Sequence, residues 1–320
     1  VTNLPNKIVS VKSNKIYINQ LCFMPKFSEE QLNNFRMPPS NSEEQKLENS
    51  IYQVRQAINN SEILKNRNLK IFAQGSYAND TNVKNNSDID INIRLDDSVF
   101  VQLPLGKKNT DYGYSDSSYS FKNYRDDVLN ALKNYFGYDS IIDGNKCITI
   151  KPNTNRVEID VVPTLRFDRY DSETNKVEGV KFIAKDSSIV VNFPIQHINN
   201  GKEKNNRTQK RFKRLTRIYR RIRYKMINDN IEIPNQISSF LLECLVWNLP
   251  NHIFNDTTTW TERLKKSIIF LYNETLEDNK CQEWGEVSEL IYLFKGNKKW
   301  SRSDVNQFLE VMWNYLEFEQ

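Results

Sequence analysis

Residues 88–95 read DIDINIRL, a strict alternation with Asp88, Asp90, Asn92 and Arg94 on one parity and Ile89, Ile91, Ile93 and Leu95 on the other. A period of two sustained this far predicts a β-strand with one buried face. Such a strand puts the carboxylates of Asp88 and Asp90 on the same side, where one divalent cation can touch both. Carboxylate oxygens are hard donors that suit Mg2+ or Mn2+, ions commonly shared with substrate phosphates.

Upstream, the apolar segment 71–73 stops at Gly75-Ser76. Glycine at a strand end lets the backbone approach a ligand closely. The N–H groups that follow, with the Ser76 hydroxyl, can hold phosphate oxygens, above all where a helix begins. Residues 156–163, RVEIDVVP, alternate again, with Val157, Ile159 and Val161 against Glu158 and Asp160. Asp160 lies between apolar neighbours, where a carboxylate is costly to bury unless it is paired or bound to metal. Two aspartates on one strand and a third on its neighbour can hold two divalent ions about 4 Å apart. Gly-Ser alone is ordinarily a turn, and Asp-x-Asp alone a solvated strand face. Their ordered succession on strands, followed by a third acidic strand, is far more specific.

Gly75-Ser76, Asp88-Ile-Asp90 and Asp160 together resemble the signature of the polymerase-β-type nucleotidyltransferase superfamily. More narrowly, the chain resembles the bacterial CD-NTases, the cyclic-oligonucleotide synthases of anti-phage CBASS signalling related to animal cyclic GMP-AMP synthase. QGSYANDTNV, the stretch from Gly113, EIDVVP, the stretch from Asn192 and the stretch from Ser239 carry that wider match. The resemblance implies an α+β fold: a nucleotidyltransferase lobe whose mixed sheet carries the three aspartates, and a helical C-terminal lobe closing the nucleotide cleft. It implies condensation of nucleoside triphosphates, purines being the expected bases, into a cyclic dinucleotide or oligonucleotide, with release of pyrophosphate. Asp88, Asp90 and Asp160 are then both the catalytic residues and the ligands of two Mg2+ (or Mn2+) ions. Gly75, Ser76, Arg220 and Ser239 hold the nucleotide. The protein is expected to act as a monomer, with no need of nucleic acid, and its product on a separate cyclic-nucleotide-sensing effector.

Hydrophobic residues make up 38 % of the 320-residue chain, enough for sizeable cores, so disorder is excluded. No apolar run suggests a membrane span, and no export signal is recognised at the start. Cys22, Cys147, Cys244 and Cys281 are scattered without a C-x-x-C pair, which argues against zinc and for a reduced, cytoplasmic setting.

The expected organisation is a catalytic lobe over residues 1–200 and a helical lobe over 201–320. Residues 1–20 are read as a short strand or extension. A helix capped near Ser42 carries Leu47, Ile51, Val54 and Ile58, and a second carries Tyr124, Val128, Leu132 and Tyr135 up to Gly137. A long polar loop is expected after Asp97, a hairpin over 168–185 and a polar hinge over 199–206. Helices follow near 211–226, 236–249, 261–276, 287–294 and 303–318, the last capped by Ser303. The first of these is densely basic. Its cations are a solvated face, a nucleic-acid surface or a triphosphate clamp. Arg220 borders the stripe of Phe212, Leu215, Tyr219 and Ile222, and is expected to serve substrate affinity more than stability. His197 reads as a loop or core histidine, since two-metal chemistry needs none. The competing functions are nucleotide addition to an RNA or protein acceptor, and a silent nucleic-acid-binding protein.

Overall fold

The computed structural model describes residues 25–39, 41–83 and 88–318. The expected strand or extension over 1–20 lies outside these residues, as does part of the Asn-rich loop before Asp88. Helix α1 (Glu29–Phe35) is closed by a capping box between Ser28 and Gln31. Its Leu32 and Phe35, with Phe27, join the core of the C-terminal helices rather than the sheet. Helix α2 (Asn41–Asn59) instead lays Leu47, Val54 and Ile58 on the sheet. The side chains of 41–43, where a cap at Ser42 was expected, are outside the description.

Strand β1 (Leu69–Gln74) runs into the single turn α3 (Gly75–Ala78) and then, across the loop, into β2 (Ile89–Gln102). Helix α4 (Phe121–Phe136) starts on a Ser120 cap and stops at Gly137, whose φ is 86°. It buries Tyr124, Val128 and Leu132, while Tyr135 is 40 % exposed and leaves the stripe. Strands β3 (Ile141–Asp143), β4 (Ile148–Ile150), β5 (Ile159–Tyr170), β6 (Lys176–Ile183) and β7 (Ile189–Asn192) complete the sheet. Its order is β1-β2-β5-β4-β3, with β6 on the far half of β5 and β7 on β6. β2 and β5 are parallel and the other pairs antiparallel, so the sheet is mixed as expected.

Two features of β2 depart from its alternation. The loop expected after Asp97 begins only beyond Gln102, because the strand slips register between Leu95 and Val99 and resumes pairing with β5. Its polar face is also not solvated: Asn92 and Arg94 are 0 % and 1 % exposed. Burial is sustained by complete pairing. Thr164 donates to Asn92 Oδ1 at 2.8 Å, and Asn92 donates to Gln74 at 3.1 Å. Arg94 grips Asp96 in bidentate fashion and reaches Glu178 at 2.8 Å.

The helical half comprises α5 (Pro194–Arg207), α6 (Arg211–Asn228), α7 (Ser239–Trp247), α8 (Asn251–Asn255), α9 (Trp260–Glu274), α10 (Asp278–Cys281) and α11 (Arg302–Tyr315). The polar hinge expected over 199–206 is in fact part of α5, and a boundary at 200/201 would cut that helix. Pro194 starts the helix, and its polar residues find tertiary partners: Asn200 donates to Val287 O, and Asn205 accepts from the Lys213 N–H. Those contacts override poor helix propensity. The helix expected over 287–294 is a turn region instead, bridged between Gly285 and Tyr292, with Glu289 at a left-handed φ of 59°. Ser301, not Ser303, caps α11, through a capping box with Asp304. The amphipathic α6 is the centre of the helical core, with Phe212, Leu215, Tyr219, Ile222 and Met226 all fully buried. No helix among the described residues is long and apolar enough to cross a membrane.

Candidate active site

Asp90 and Asp160 face each other as direct register partners across the parallel β2–β5 pair. Asp88, two residues earlier and exposed, stands at the entrance to β2. Burial pushes the Asp90 carboxyl up to about 7, helped by the charges of Asp88 and Asp160 and opposed by Arg220. Its charged form is thus disfavoured where it stands, and a bound cation would favour it. Asp160 is held by Thr149, its partner on β4, whose hydroxyl donates to Oδ1 at 2.6 Å. Among the described residues no three His, Cys, Asp or Glu side chains close on one point as a finished metal site. The donor set nevertheless fits a hard divalent cation: three carboxylates, two of them paired across adjacent strands, and no thiolate.

Gly75 has a φ of +64°, and a Cβ placed on it would lie 2.0 Å from Asp90 Oδ2. The end of β1 therefore rests directly on the Asp90 side chain, a close approach that only glycine allows. The chain then turns back on itself, with Ser76 O accepting from the N–H groups of Thr81 (2.9 Å) and Asn82 (3.1 Å).

A cavity of about 440 Å3 opens beside this turn. Gln74, Gly75, Asp90 and Asp160 line one wall; Phe182 and Phe193 provide apolar surface, and His197 and Phe240 come from the helical half. Cys147 also lines it, its thiol pushed up to about 11 by burial and then by the Asp160 charge, so it stays protonated at neutral pH.

The remaining expected residues sit differently. Ser239 begins α7 with its hydroxyl 3.2 Å from that of Tyr224, while its neighbour Ser238 caps the helix. Arg220 is only 3 % exposed and donates through Nη1 to Thr81 O at 3.0 Å. Its Nε has no hydrogen-bond partner among the described residues. The basic face of α6 is not a solvated face. Arg217 reaches Asp80 O at 2.7 Å and Arg36 O at 3.1 Å, and Arg221 reaches Asn34 O and Met37 O. These guanidinium groups tie the turn after Gly75, and the carbonyls ending α1, to the helical core. His197 is a core histidine on α5, with Nε2 3.0 Å from Glu243 Oε1.

Three polar contributors were missed by sequence reasoning: Thr149, Thr81 and Glu243. The signal for Glu243 was present, since it is the only charged residue in the apolar run SFLLECLVW. The other two have no such mark.

Residues 29–177 match the Second Messenger Oligonucleotide or Dinucleotide Synthetase domain, and residues 199–317 match the C-terminal helical domain of cGAS/DncV-like nucleotidyltransferases. A cyclic dipyrimidine nucleotide synthase, CdnE of Cecembia lonarensis, is 53 % identical over 92 % of this chain and 100 % of its own. A cyclic dipurine nucleotide synthase of Elizabethkingia meningoseptica is 36 % identical over 92 % of this chain and 99 % of its own. The structure of CdnE from Elizabethkingia meningoseptica with GTP and Apcpp superposes with a TM-score of 0.76, at 36 % identity, over 91 % of this chain and 99 % of that one. The Rhodothermus marinus CdnE structure shares the fold, with a TM-score of 0.80 at 24 % identity over 92 % and 98 % of the two chains. With both halves matched and the relatives aligned along nearly their whole length, the chain belongs to the bacterial CD-NTases and is a nucleotidyltransferase.

Proposed function

We propose that this enzyme condenses two nucleoside triphosphates into a cyclic dinucleotide, with Asp88, Asp90 and Asp160 as its catalytic carboxylates. The observation that carries the reading is the pairing of Asp90 with Asp160 beside the Gly75 turn, at the wall of a cavity large enough for nucleotide. Mg2+ or Mn2+ ions held by the three aspartates would supply Lewis-acid activation of the attacking hydroxyl and charge neutralisation at the departing pyrophosphate.

The chain's own contribution is positional. Gly75 brings the backbone to the carboxylates, and the N–H groups and hydroxyl around Ser76 hold donor phosphate oxygens. Asp160, oriented by Thr149, accepts the proton of the acceptor ribose hydroxyl. The new bond joins that oxygen to the α-phosphorus, and the bond from the α-phosphorus to the bridging oxygen breaks, releasing pyrophosphate. Repetition within the linear product closes the ring. Arg220, whose charge acts on Asp90, and Ser239 at the head of α7 are our candidates for contacts with the triphosphate. The sheet-bearing and helical halves act as two lobes around the nucleotides.

For the bases, we favour pyrimidines over the purines expected from the sequence. The 53 % identical relative is a dipyrimidine synthase, against 36 % for the dipurine synthase. We further place the enzyme in the cytoplasm as a monomer, signalling to a separate effector in anti-phage defence. A nucleic-acid-binding role is disfavoured, because Arg217, Arg220 and Arg221 are spent on protein carbonyls.

Incubation with all four NTPs and Mg2+, without polymer, tests the reading. Pyrophosphate release and a phosphatase-resistant cyclic product, identified by mass spectrometry, are expected. Product formed only with an RNA or protein acceptor would replace it.

A further inference from the structure

Thr81 is fully buried and tied from three directions. Its N–H donates to Ser76 O at 2.9 Å, within its own turn. Its carbonyl accepts from Arg220 Nη1 on α6 at 3.0 Å. Its hydroxyl donates to Glu243 Oε2 on α7 at 2.9 Å. The second oxygen of Glu243 is 3.0 Å from His197 Nε2, and His197 lines the nucleotide cavity. A continuous path therefore runs from the cavity wall through α7 to the turn on which Asp90 rests.

Glu243 has no reason of packing to be where it is. It is 3 % exposed, among Leu241, Leu242, Cys244, Leu245 and Val246, all at 0 %. A leucine there would join that cluster with no charge to desolvate, whereas a buried carboxylate is costly unless it is paired and hydrogen-bonded. Here burial pushes its carboxyl up, but the charge of His197, a hydrogen bond to that ring, the charge of Arg220 and the Thr81 hydroxyl together bring it below the usual range. The carboxylate is thus held charged, and both of its oxygens are committed. Helix-to-helix cohesion does not require it, because α6 and α7 already share the large apolar core. What Glu243 adds, beside the Arg217 and Arg220 contacts to backbone carbonyls, is a side-chain tie from α7 to the Gly75–Asn82 turn, made through the Thr81 hydroxyl.

We infer that Glu243 is a positioning residue of the nucleotidyltransferase site: through the Thr81 hydroxyl it fixes the spacing between the Gly75–Ser76 phosphate cradle and the Asp90–Asp160 pair, and through His197 it sets that spacing from the cavity wall. The inference rests on the proposed reading of the site. Glu243 and Thr81 touch neither phosphate nor metal. Their effect is transmitted by the turn, in which the Thr81 N–H holds the carbonyl of Ser76, the residue after Gly75, at 2.9 Å.

The experiment compares Thr81→Val, which keeps the shape and deletes the donor, with Thr81→Ser, which keeps the donor, in the full chain. Steady-state turnover over a range of NTP, and thermal unfolding, are measured for each, with Asp160→Asn as reference. Thr81→Val is expected to remain folded at the assay temperature and to lose at least about tenfold in kcat/KM, a change of about 1.4 kcal/mol. Thr81→Ser is expected within about threefold of the wild type, whatever its melting temperature. Glu243→Leu removes both acceptor oxygens at once. It should resemble Thr81→Val, and the double variant should be no worse than either single one. Should Thr81→Val not fold, Glu243→Leu is read by the same criterion. A Thr81→Val enzyme that melts earlier yet turns over like the wild type overturns the inference, as does a Thr81→Ser enzyme as poor as Thr81→Val. If Asp160→Asn is inactive while Thr81→Val is normal, the positioning role alone falls. If Asp160→Asn is itself active, the reading of the whole site falls.

Discussion

The Cβ that Gly75 lacks would sit 2.0 Å from Asp90 Oδ2, so the end of β1 and the acidic strand β2 are in direct contact at the site. Gly75→Ala therefore meets two penalties. A side chain in the left-handed region costs about 1–2 kcal/mol, and the methyl group must displace the carboxylate. The expected outcome is a protein that folds, melts somewhat lower and loses about a hundredfold or more of its NTP turnover. Ordinary turnover in Gly75→Ala would show that Asp90 can be moved without consequence.

Asp90 predicts a pH effect with a definite sign. Its folded carboxyl titrates near 7, well above the ordinary 3.8 of an aspartate. Between those values the folded state binds the extra proton, so the metal-free protein loses stability as pH rises towards 7. Asp90→Asn removes the ionisation and should flatten this part of the profile, leaving the metal-free variant the more stable of the two above pH 7. Thermal unfolding with EDTA from pH 5 to 8 measures it; parallel profiles for the two proteins would exclude the effect.

Asp160→Asn keeps the shape of the side chain and can still accept from Thr149, so its stability should lie close to that of the wild type. Turnover should fall by about a hundredfold or more, the loss expected when a group stabilising charge in the transition state is removed. Pyrophosphate release from NTPs is the readout, and a near-normal rate would remove Asp160 from the chemistry.

Arg220→Ala is expected to weaken both the fold and the affinity for nucleotide. The substitution leaves Thr81 O unanswered in a buried place, a loss of about 1–3 kcal/mol. Its burial at 3 % exposure makes the purely functional role expected from the sequence incomplete. Denaturant titration beside binding of a non-hydrolysable NTP separates the two effects; unchanged stability would mean that the Thr81 carbonyl finds another donor.

The acidic strands were legible because alternation and chemistry coincide there: Ile89, Ile91 and Ile93 declare the buried face, and Asp90 and Asp160 stand out against it. The core stripe of α6 was legible for the same reason, at a period of 3.6. What could not be read is what covers a polar face. Asn92 and Arg94 look solvated in sequence and are buried, because their partners Thr164 and Glu178 lie 72 and 84 residues away. The basic face of α6 misled in the same way, since Asp80 and the carbonyls of α1 that answer it are far off in the chain. Residues 199–206 looked like a hinge because Asn and Gly are poor helix formers, and Val287 and Lys213 supply what local propensity lacks.

The packing of α1 has a mechanical consequence. Phe27, Leu32 and Phe35 lie in the helical core, and Lys26 N–H donates to Leu316 O at 3.0 Å, while α2, a few residues later, lies on the sheet. The chain thus passes between the two halves twice, once between α1 and α2 and again at α5. A single covalent link would leave the halves held by packing alone at every other point, whereas here the chain itself joins them at two separate places. A cut in either crossing would still leave the halves joined through the other.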